Sequence, residues 1–432
     1  MTGFHPAGPL RGSLRPPADK SISHRAALFG AMCDTPVAIR NYLYADDTLS
    51  TLDALRALGA AVDMQSNELV IRGVGMRAPL STTNELLDVG NSGTLMRLLP
   101  GWLAGQPGGR WRLDGDASIR RRPVDRIARP LEQMGARVRT SDGGKPPFIV
   151  EGADLAGIDY VSDVASAQVK SCVLIAGLMA GGTSSFTEPR RSRDHTERVL
   201  MGARVPFQRD GTTVRVWQCD ELELEEVQVP ADPSSAAFFV AAASIVPGSR
   251  IVLRDVGLNW TRTAFFQIAE RMGAVVLGDL EPPGTDSAHE PIGEVDVAQA
   301  PLVATEVAGD EVPLAIDELP LVALLGVFAE GQTVVRDAAE LRVKETDRIA
   351  AVVEGLGGLG AEIEATDDGF VVQGTGRLRG GVFDSRGDHR MAMLGAIAGL
   401  ASEEGVEVKN MTAASVSYPS FESDLRALLA DS

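Results

Sequence analysis

The sequence predicts an α/β protein assembled from six units of one pattern, able to group as two lobes of three. Three observations predict it. First, a polar or charged start leads six times into an apolar run that closes near a glycine, over 23–30, 93–105, 167–181, 234–248, 318–331 and 389–405. Second, the closing residues Gly30, Gly105, Gly181, Gly248, Gly331 and Gly405 lie 75, 76, 67, 83 and 74 residues apart, a spacing that marks an internal repeat. Third, another helix type alternates with these runs and ends in related sequences at 55–62, 134–138, 201–205, 272–276 and 359–363. Each of those endings carries a glycine suited to a helix C-cap and a β-branched segment after it.

Taken along the chain, the apolar runs are rich in Ala, Leu and Gly and poor in charge, so they read as buried helices. The alternating helices are amphipathic, and the sixth of them is expected at 421–429. Short strands are expected at 69–72, 110–113, 214–216, 250–253, 333–336 and 370–373. Pro230-Ala231-Asp232-Pro233 suits a boundary between the third and fourth units. The acidic stretch 221–226 reads as solvated, and the Gly/Pro-rich stretch 280–291 as a surface loop whose His289 does no chemistry.

Composition narrows the function. With 41 Lys+Arg against 59 Asp+Glu, the net charge of −18 argues against a nucleic-acid or membrane-surface partner. Three scattered cysteines (Cys33, Cys172 and Cys219) support neither a disulfide framework nor a metal cluster, and suit a reducing cytoplasm. None of the five His stands in a two-His ligand spacing, so no metal is expected. No Walker loop, dinucleotide fingerprint or nucleophile elbow is present. The longest apolar runs, such as 319–329, fall short of the roughly 20 residues that span a bilayer, and residues 1–20 lack the apolar region of a signal peptide.

Chemistry concentrates at the six buried-helix starts. They carry Lys20-Ser21, Asn91-Ser92-Gly93-Thr94, Ser166-Ala167-Gln168, Asp232-Pro233-Ser234, Asp317-Glu318 and Asp388-His389-Arg390. Any one is explained by capping. Six such N-termini brought to one cleft would each favour a nearby anion by roughly 0.3–1 kcal/mol. Cations cluster beside them or in short loops, at Arg120-Arg121-Arg122, Arg190-Arg191-Ser192-Arg193 and Arg342-Val343-Lys344-Glu345-Thr346-Asp347-Arg348. Arg offers a fork for phosphate or carboxylate and Lys a point charge, so these loops suit a multiply charged anion. Two acids stand among them. Asp317 is costly at the head of an apolar helix unless it caps or acts, and Glu345 is either ion-paired or an acid/base group.

At these residues the chain resembles the enolpyruvyl transferase family, in its branch acting on shikimate 3-phosphate. The segments are Asp19-Lys20-Ser21-Ile22-Ser23-His24-Arg25, Gly90-Asn91-Ser92-Gly93-Thr94-Leu95-Met96-Arg97, Arg122-Pro123, Ser166-Ala167-Gln168-Val169-Lys170-Ser171, Arg193-Asp194-His195-Thr196, Asp317-Glu318, 342–348 and Asp388-His389-Arg390. The resemblance implies an inside-out α/β fold of two lobes, each of three βαβαββ repeat units whose buried helices aim at an interlobe cleft that closes over substrate. One lobe would be 15–231 and the other 1–14 plus 232–432.

The implied substrates are shikimate 3-phosphate and phosphoenolpyruvate, with no cofactor and a monomeric enzyme. Lys20 would touch both. Ser21, Arg25, Ser166, Gln168, Arg193, Asp317 and Lys344 would hold shikimate 3-phosphate. Gly93, Arg122, Gln168, Arg348 and Arg390 would clamp phosphoenolpyruvate. Asp317 would take the 5-hydroxyl proton, Glu345 would protonate the methylene carbon, and Asn91, His389, Asp46 and Asp47 would stand behind them.

The sequence departs from the family at Val416, where many members carry Lys, and at Ala167, where some carry a second Ser. It lacks the Tyr that some members place after the third unit, and Arg193 would take its place. Two alternatives remain. A sister enzyme acting on UDP-N-acetylglucosamine uses a reactive loop Cys, which no cysteine here suits. A non-catalytic anion-binding module would not need Lys20, Asp317 and Glu345 together.

Overall fold

The computed structural model describes residues 1–65, 68–81 and 86–430. The chain divides into two compact bodies. One comprises Ala18–Val229 and Asp286–Glu290, and the other Met1–Pro17, Pro230–Thr285 and Pro291–Ser432. The sequence division at 14/15 and 231/232 had no excursion at 286–290. The bodies are called here the 18–229 and the 230–432 body.

Among the described residues each body carries three helix pairs. In the 18–229 body these are α1 (Lys20–Met32) with α2 (Asp46–Ala57), α3 (Gly93–Ala104) with α4 (Asp125–Gln133), and α5 (Ala167–Met179) with α6 (His195–Gly202). In the 230–432 body α7 (Pro233–Ile245) pairs with α8 (Ala264–Arg271). After the short α9 (Val312–Ala315) come α10 (Leu319–Phe328) with α11 (Arg348–Gly358), and α12 (His389–Leu400) with α13 (Phe421–Ala430).

The first helix of each pair forms the core. Every residue of α7 is buried, and α1, α5 and α12 bury all but one or two residues of their first turn. A helix without a solvated face needs no polar stripe, which is why these segments carry so few charges. Each buried Val, Leu or Phe contributes about 1.5–3 kcal/mol relative to exposure.

Five of the six repeats build the same four-stranded sheet. In the second repeat, Leu86–Asp88 lies parallel to Arg110–Asp114, which is antiparallel to Lys145–Glu151, which is antiparallel to Arg137–Ser141. Helix α3 crosses between the first two strands and α4 follows, so the chain order is βαβαββ.

Three strands come from far away in sequence. Glu226–Gln228 supplies the leading strand of the first repeat, with Glu226 opposite Ala38, and Arg11–Leu14 does the same beside Arg250–Gly257. Thr2–Phe4 pairs with Val406–Lys409, Phe4 opposite Val406, and completes a three-stranded sixth sheet. Each body thus returns its end to its beginning, and the sixth repeat takes its last strand from the N-terminus.

The expected strands lie inside observed ones, except that 333–336 is observed as Gln332–Val335. The glycine caps differ at one repeat. Gly59, Gly135, Gly273 and Gly360 follow their helices with φ between +99° and +111°, where a side chain is strained. In the third repeat Gly202 is the last residue of α6 instead, and Arg204 takes the left-handed conformation at φ 55°. The stretch 280–291 is only partly a surface loop, because Glu281 and the Glu290 side chain are buried. In 221–226 the acids are exposed as expected, while Leu222 and Leu224 point into the core.

Candidate active site

The polar helix starts have structural work of their own. Asp19 accepts from the Ile22 amide (2.9 Å), Ser92 from Leu95 (3.1 Å), Ser166 from Val169 (3.4 Å), Asp232 from Ser234 (2.8 Å) and Asp388 from Arg390 (2.8 Å). Each cap satisfies one of the amides a helix start leaves open. Helix α10 is the exception: its N-cap Glu318 makes no such bond and instead takes Arg390 Nη1 at 3.2 Å.

In the 18–229 body, Lys20 opens α1 with Nζ 2.9 Å from Asp47 Oδ2, a buried carboxylate in the first turn of α2. Arg25, five residues on, is buried. Its Nε donates to Thr196 Oγ1 (2.8 Å), Nη2 to Ser171 Oγ (2.9 Å) and Nη1 to the Ser21 carbonyl (3.0 Å). Helices α1, α5 and α6 therefore fix one guanidinium. Burial lowers its pKa to about 10, with Arg193 adding to the fall and Glu197, Asp19 and Glu290 opposing it. Arg25 stays charged at neutral pH.

A second group forms where α3 and α5 begin. Gln168 donates to Thr94 Oγ1 (3.0 Å) and accepts from Arg97 Nη1 (2.8 Å). A Cβ on Gly93 would lie 2.4 Å from Arg122 Nη1 and 3.1 Å from Arg97 Nη1, so the bare glycine leaves room for two guanidinium groups. Arg122 donates to Ser118 Oγ at 3.2 Å, and Asn91 donates to Asp116 Oδ2 at 2.6 Å. Ser166 caps α5 two residues before Gln168.

The 230–432 body centres on Arg348, whose side chain is 1% exposed. Its Nε donates to Asp388 Oδ2 (2.8 Å), Nη1 to Asp317 Oδ1 (3.0 Å) and Nη2 to Glu345 Oε2 (2.7 Å). Lys344 Nζ lies 3.5 Å from Asp317 Oδ1 and Arg390 Nη2 3.7 Å from Asp317 Oδ2. Asp317 therefore does not cap α10: it precedes the cap and faces three cations. Burial works against the Arg348 charge, but Asp388, Glu345 and Asp317 more than offset it and hold its pKa above the ordinary value. Burial likewise works against the Asp388 carboxylate, yet Arg348 beside it holds that pKa below the usual range. His389 is buried as the first residue of α12.

The expected residues thus fall into groups within each body, and their partners were not foreseen. Thr94, Arg97, Ser171, Thr196 and Asp388 complete the contacts of Gln168, Arg25 and Arg348. All lie inside segments already singled out, and their position beside a site residue was the available signal. Val416 sits half-buried in a 3-10 turn leading to Tyr418, which packs on Phe239 and Phe421. The thiols are poor nucleophiles. Burial pushes Cys33 up to about 11 and raises Cys172 and Cys219 as well. Among the described residues no helix is long and apolar enough to cross a membrane.

A family model described as EPSP synthase (3-phosphoshikimate 1-carboxyvinyltransferase) matches residues 4–425. The chain is 48% identical over 421 residues to the 3-phosphoshikimate 1-carboxyvinyltransferase of Bacillus subtilis (strain 168), covering 97% of each. A solved EPSP synthase from Acinetobacter baumannii superposes with a TM-score of 0.85 at 38% identity, over 99% of this chain and 97% of that one. The enolpyruvyl transferase NikO from Streptomyces tendae, at 20% identity and a TM-score of 0.78, shares the fold over 99% of this chain and 96% of its own. On these likenesses the chain belongs to the EPSP synthase family.

Proposed function

We propose that this protein transfers the enolpyruvyl group of phosphoenolpyruvate to the 5-hydroxyl of shikimate 3-phosphate, releasing phosphate. The reaction class follows from the family. The observation that carries the assignment of residues is the Arg348 cluster. Asp317, Glu318, Glu345 and Asp388 there lie against Lys344, Arg348 and Arg390. The transfer needs a general acid holding a proton beside a carboxylate base, and Glu345 and Asp317 are both held by the Arg348 guanidinium.

In this reading Glu345 carries that proton and delivers it to the methylene carbon of phosphoenolpyruvate, making C2 electrophilic. Asp317 takes the 5-hydroxyl proton as the oxygen adds to C2. The tetrahedral adduct then loses phosphate from C2 and a proton from the new methyl group, giving the enolpyruvyl ether. Lys20, Arg122, Arg348 and Arg390 stabilise the anionic groups without exchanging protons. Arg25, Arg193, Ser21, Ser166, Gln168 and Lys344 hold shikimate 3-phosphate. Gly93 and Gln168 complete the phosphoenolpyruvate side.

Work on a UDP-linked sugar is disfavoured by the family match and by the raised thiol pKa values. The proposal includes a monomeric enzyme, and a cytoplasmic one because three free cysteines suit a reducing compartment. Phosphorus NMR of the protein with phosphoenolpyruvate and each acceptor tests the assignment. Phosphate and a new ether from shikimate 3-phosphate are expected. Turnover only with UDP-N-acetylglucosamine, or binding without phosphate, would sink it.

A further inference from the structure

Residues Asp286–Glu290 belong to the 18–229 body, although the chain on both sides of them belongs to the other. They grip α6 and the strand Phe207–Asp210 that follows it. His195 Nδ1 lies 2.6 Å from Glu290 Oε1, Arg198 Nη1 donates to the His289 carbonyl at 2.8 Å, and Arg209 pairs with Asp286. The His195 and Glu290 side chains are 2% and 9% exposed. Because an ionised carboxylate only accepts, His195 presents Nδ1–H to Glu290, which sets the ring orientation. His195 Nε2 is buried and makes no hydrogen bond among the described residues, so Glu290 is the polar group that orients the ring.

The helix start so held is the one that serves Arg25. Thr196, next to His195, accepts from Arg25 Nε at 2.8 Å and stands 2.6 Å from Ser171, the second Arg25 partner. Arg193 lies two residues before His195, and Asp194 takes Arg198 Nε at 3.0 Å. We infer that Glu290 is a positioning residue for shikimate 3-phosphate, acting through His195 on Arg193 and, by way of Thr196, on Arg25. The inference rests on the reading of Arg25 and Arg193 as ligands of that substrate. Charge supports it too: Glu290 is one of the carboxylates that sustain the Arg25 cation against burial and against Arg193. A loop remote in sequence thereby holds the helix start that carries Arg193 and Thr196, and supplies part of the counter-charge of Arg25.

Steady-state kinetics of the full chain, varying each substrate, test this. Glu290→Ala is expected to raise the KM for shikimate 3-phosphate about tenfold, with kcat and the KM for phosphoenolpyruvate within roughly twofold. Glu290→Gln keeps an acceptor for Nδ1–H and is expected to restore most of the loss. His195→Phe keeps the ring volume, gives the same split, and serves if Glu290→Ala does not fold. The double variant is expected to be no worse than either single one. An unchanged KM for shikimate 3-phosphate, an equal rise in both KM values, or additive effects in the double variant would overturn the role of Glu290. Arg25→Ala checks the underlying reading separately. If it leaves that KM unchanged, the ligand assignment fails. If it raises that KM while Glu290→Ala does not, only the role of Glu290 fails.

Discussion

Arg348 Nη1 donates to Asp317 Oδ1 at 3.0 Å, and the same guanidinium reaches Glu345 and Asp388 with its other nitrogens. One buried cation thus orders both proposed proton-transfer groups and the cap of α12. Removing it separates structure from chemistry. In Arg348→Leu the Asp388 carboxylate, itself fully buried, loses its main counter-ion. Breaking a buried pair from one side costs about 3–5 kcal/mol. Denaturant unfolding is expected to show a loss of that size, and a loss under about 1 kcal/mol would mean that Arg348 is not the keystone of the cluster.

Glu345→Gln preserves shape and hydrogen-bonding capacity but cannot deliver the proton. Turnover is expected to fall by about 10²-fold or more, while calorimetric affinities for both substrates stay near wild type. Weakened binding with turnover little changed would make Glu345 a ligand rather than an acid.

Gly93→Ala places a methyl group against the ends of Arg122 and Arg97. Both are flexible tips, so the fold is expected to tolerate the change and the melting temperature to stay within a few degrees. Displacing a charge-assisted contact from Arg122 costs about 1.5–3 kcal/mol, so the KM for phosphoenolpyruvate is expected to rise roughly 10- to 100-fold. An unchanged KM would remove Arg122 from that side of the site.

His24 gives a pH signature. Its Nδ1 lies 2.7 Å from Thr51 Oγ1, and burial, with Lys20 and Arg25 nearby, pulls its pKa well below 6.5. The unfolded chain therefore takes up a proton below pH 6.5 that the folded chain refuses. The resulting stability is present above the unfolded pKa and is lost as pH falls toward the folded one. The slope contributed is about 1.4 kcal/mol per pH unit. Unfolding free energies at pH 6 and pH 5 are expected to differ less in His24→Gln than in the wild type. Identical slopes would show that His24 is protonated in the folded state.

What the sequence revealed and hid follows from the range of each interaction. The six buried helices were legible because a helix without a wet face leaves an unbroken apolar run, and α7 and α10 are such runs. The cations were legible because Lys20, Arg25 and Arg348 stand in compact polar segments. The pairing of Phe4 with Val406 left no local mark, since either strand alone is only a few extended residues. Nor did the meeting of His195 with Glu290, 95 residues apart, in a stretch whose glycines and prolines read as solvated loop. Asp317 was ambiguous for a different reason. A carboxylate at a helix head is normally a cap, and only its three cationic neighbours show otherwise.

The proton delivered to the methylene carbon is the step on which the account turns, and one measurement reaches it directly. The reaction is run in deuterium oxide, and the vinyl methylene of the ether product is examined by NMR. Protonation followed by elimination passes through a methyl group that has gained a solvent deuteron, so deuterium is expected in the product methylene. A product formed at full turnover with no deuterium there would contradict addition–elimination, and with it the roles given to Glu345 and Asp317.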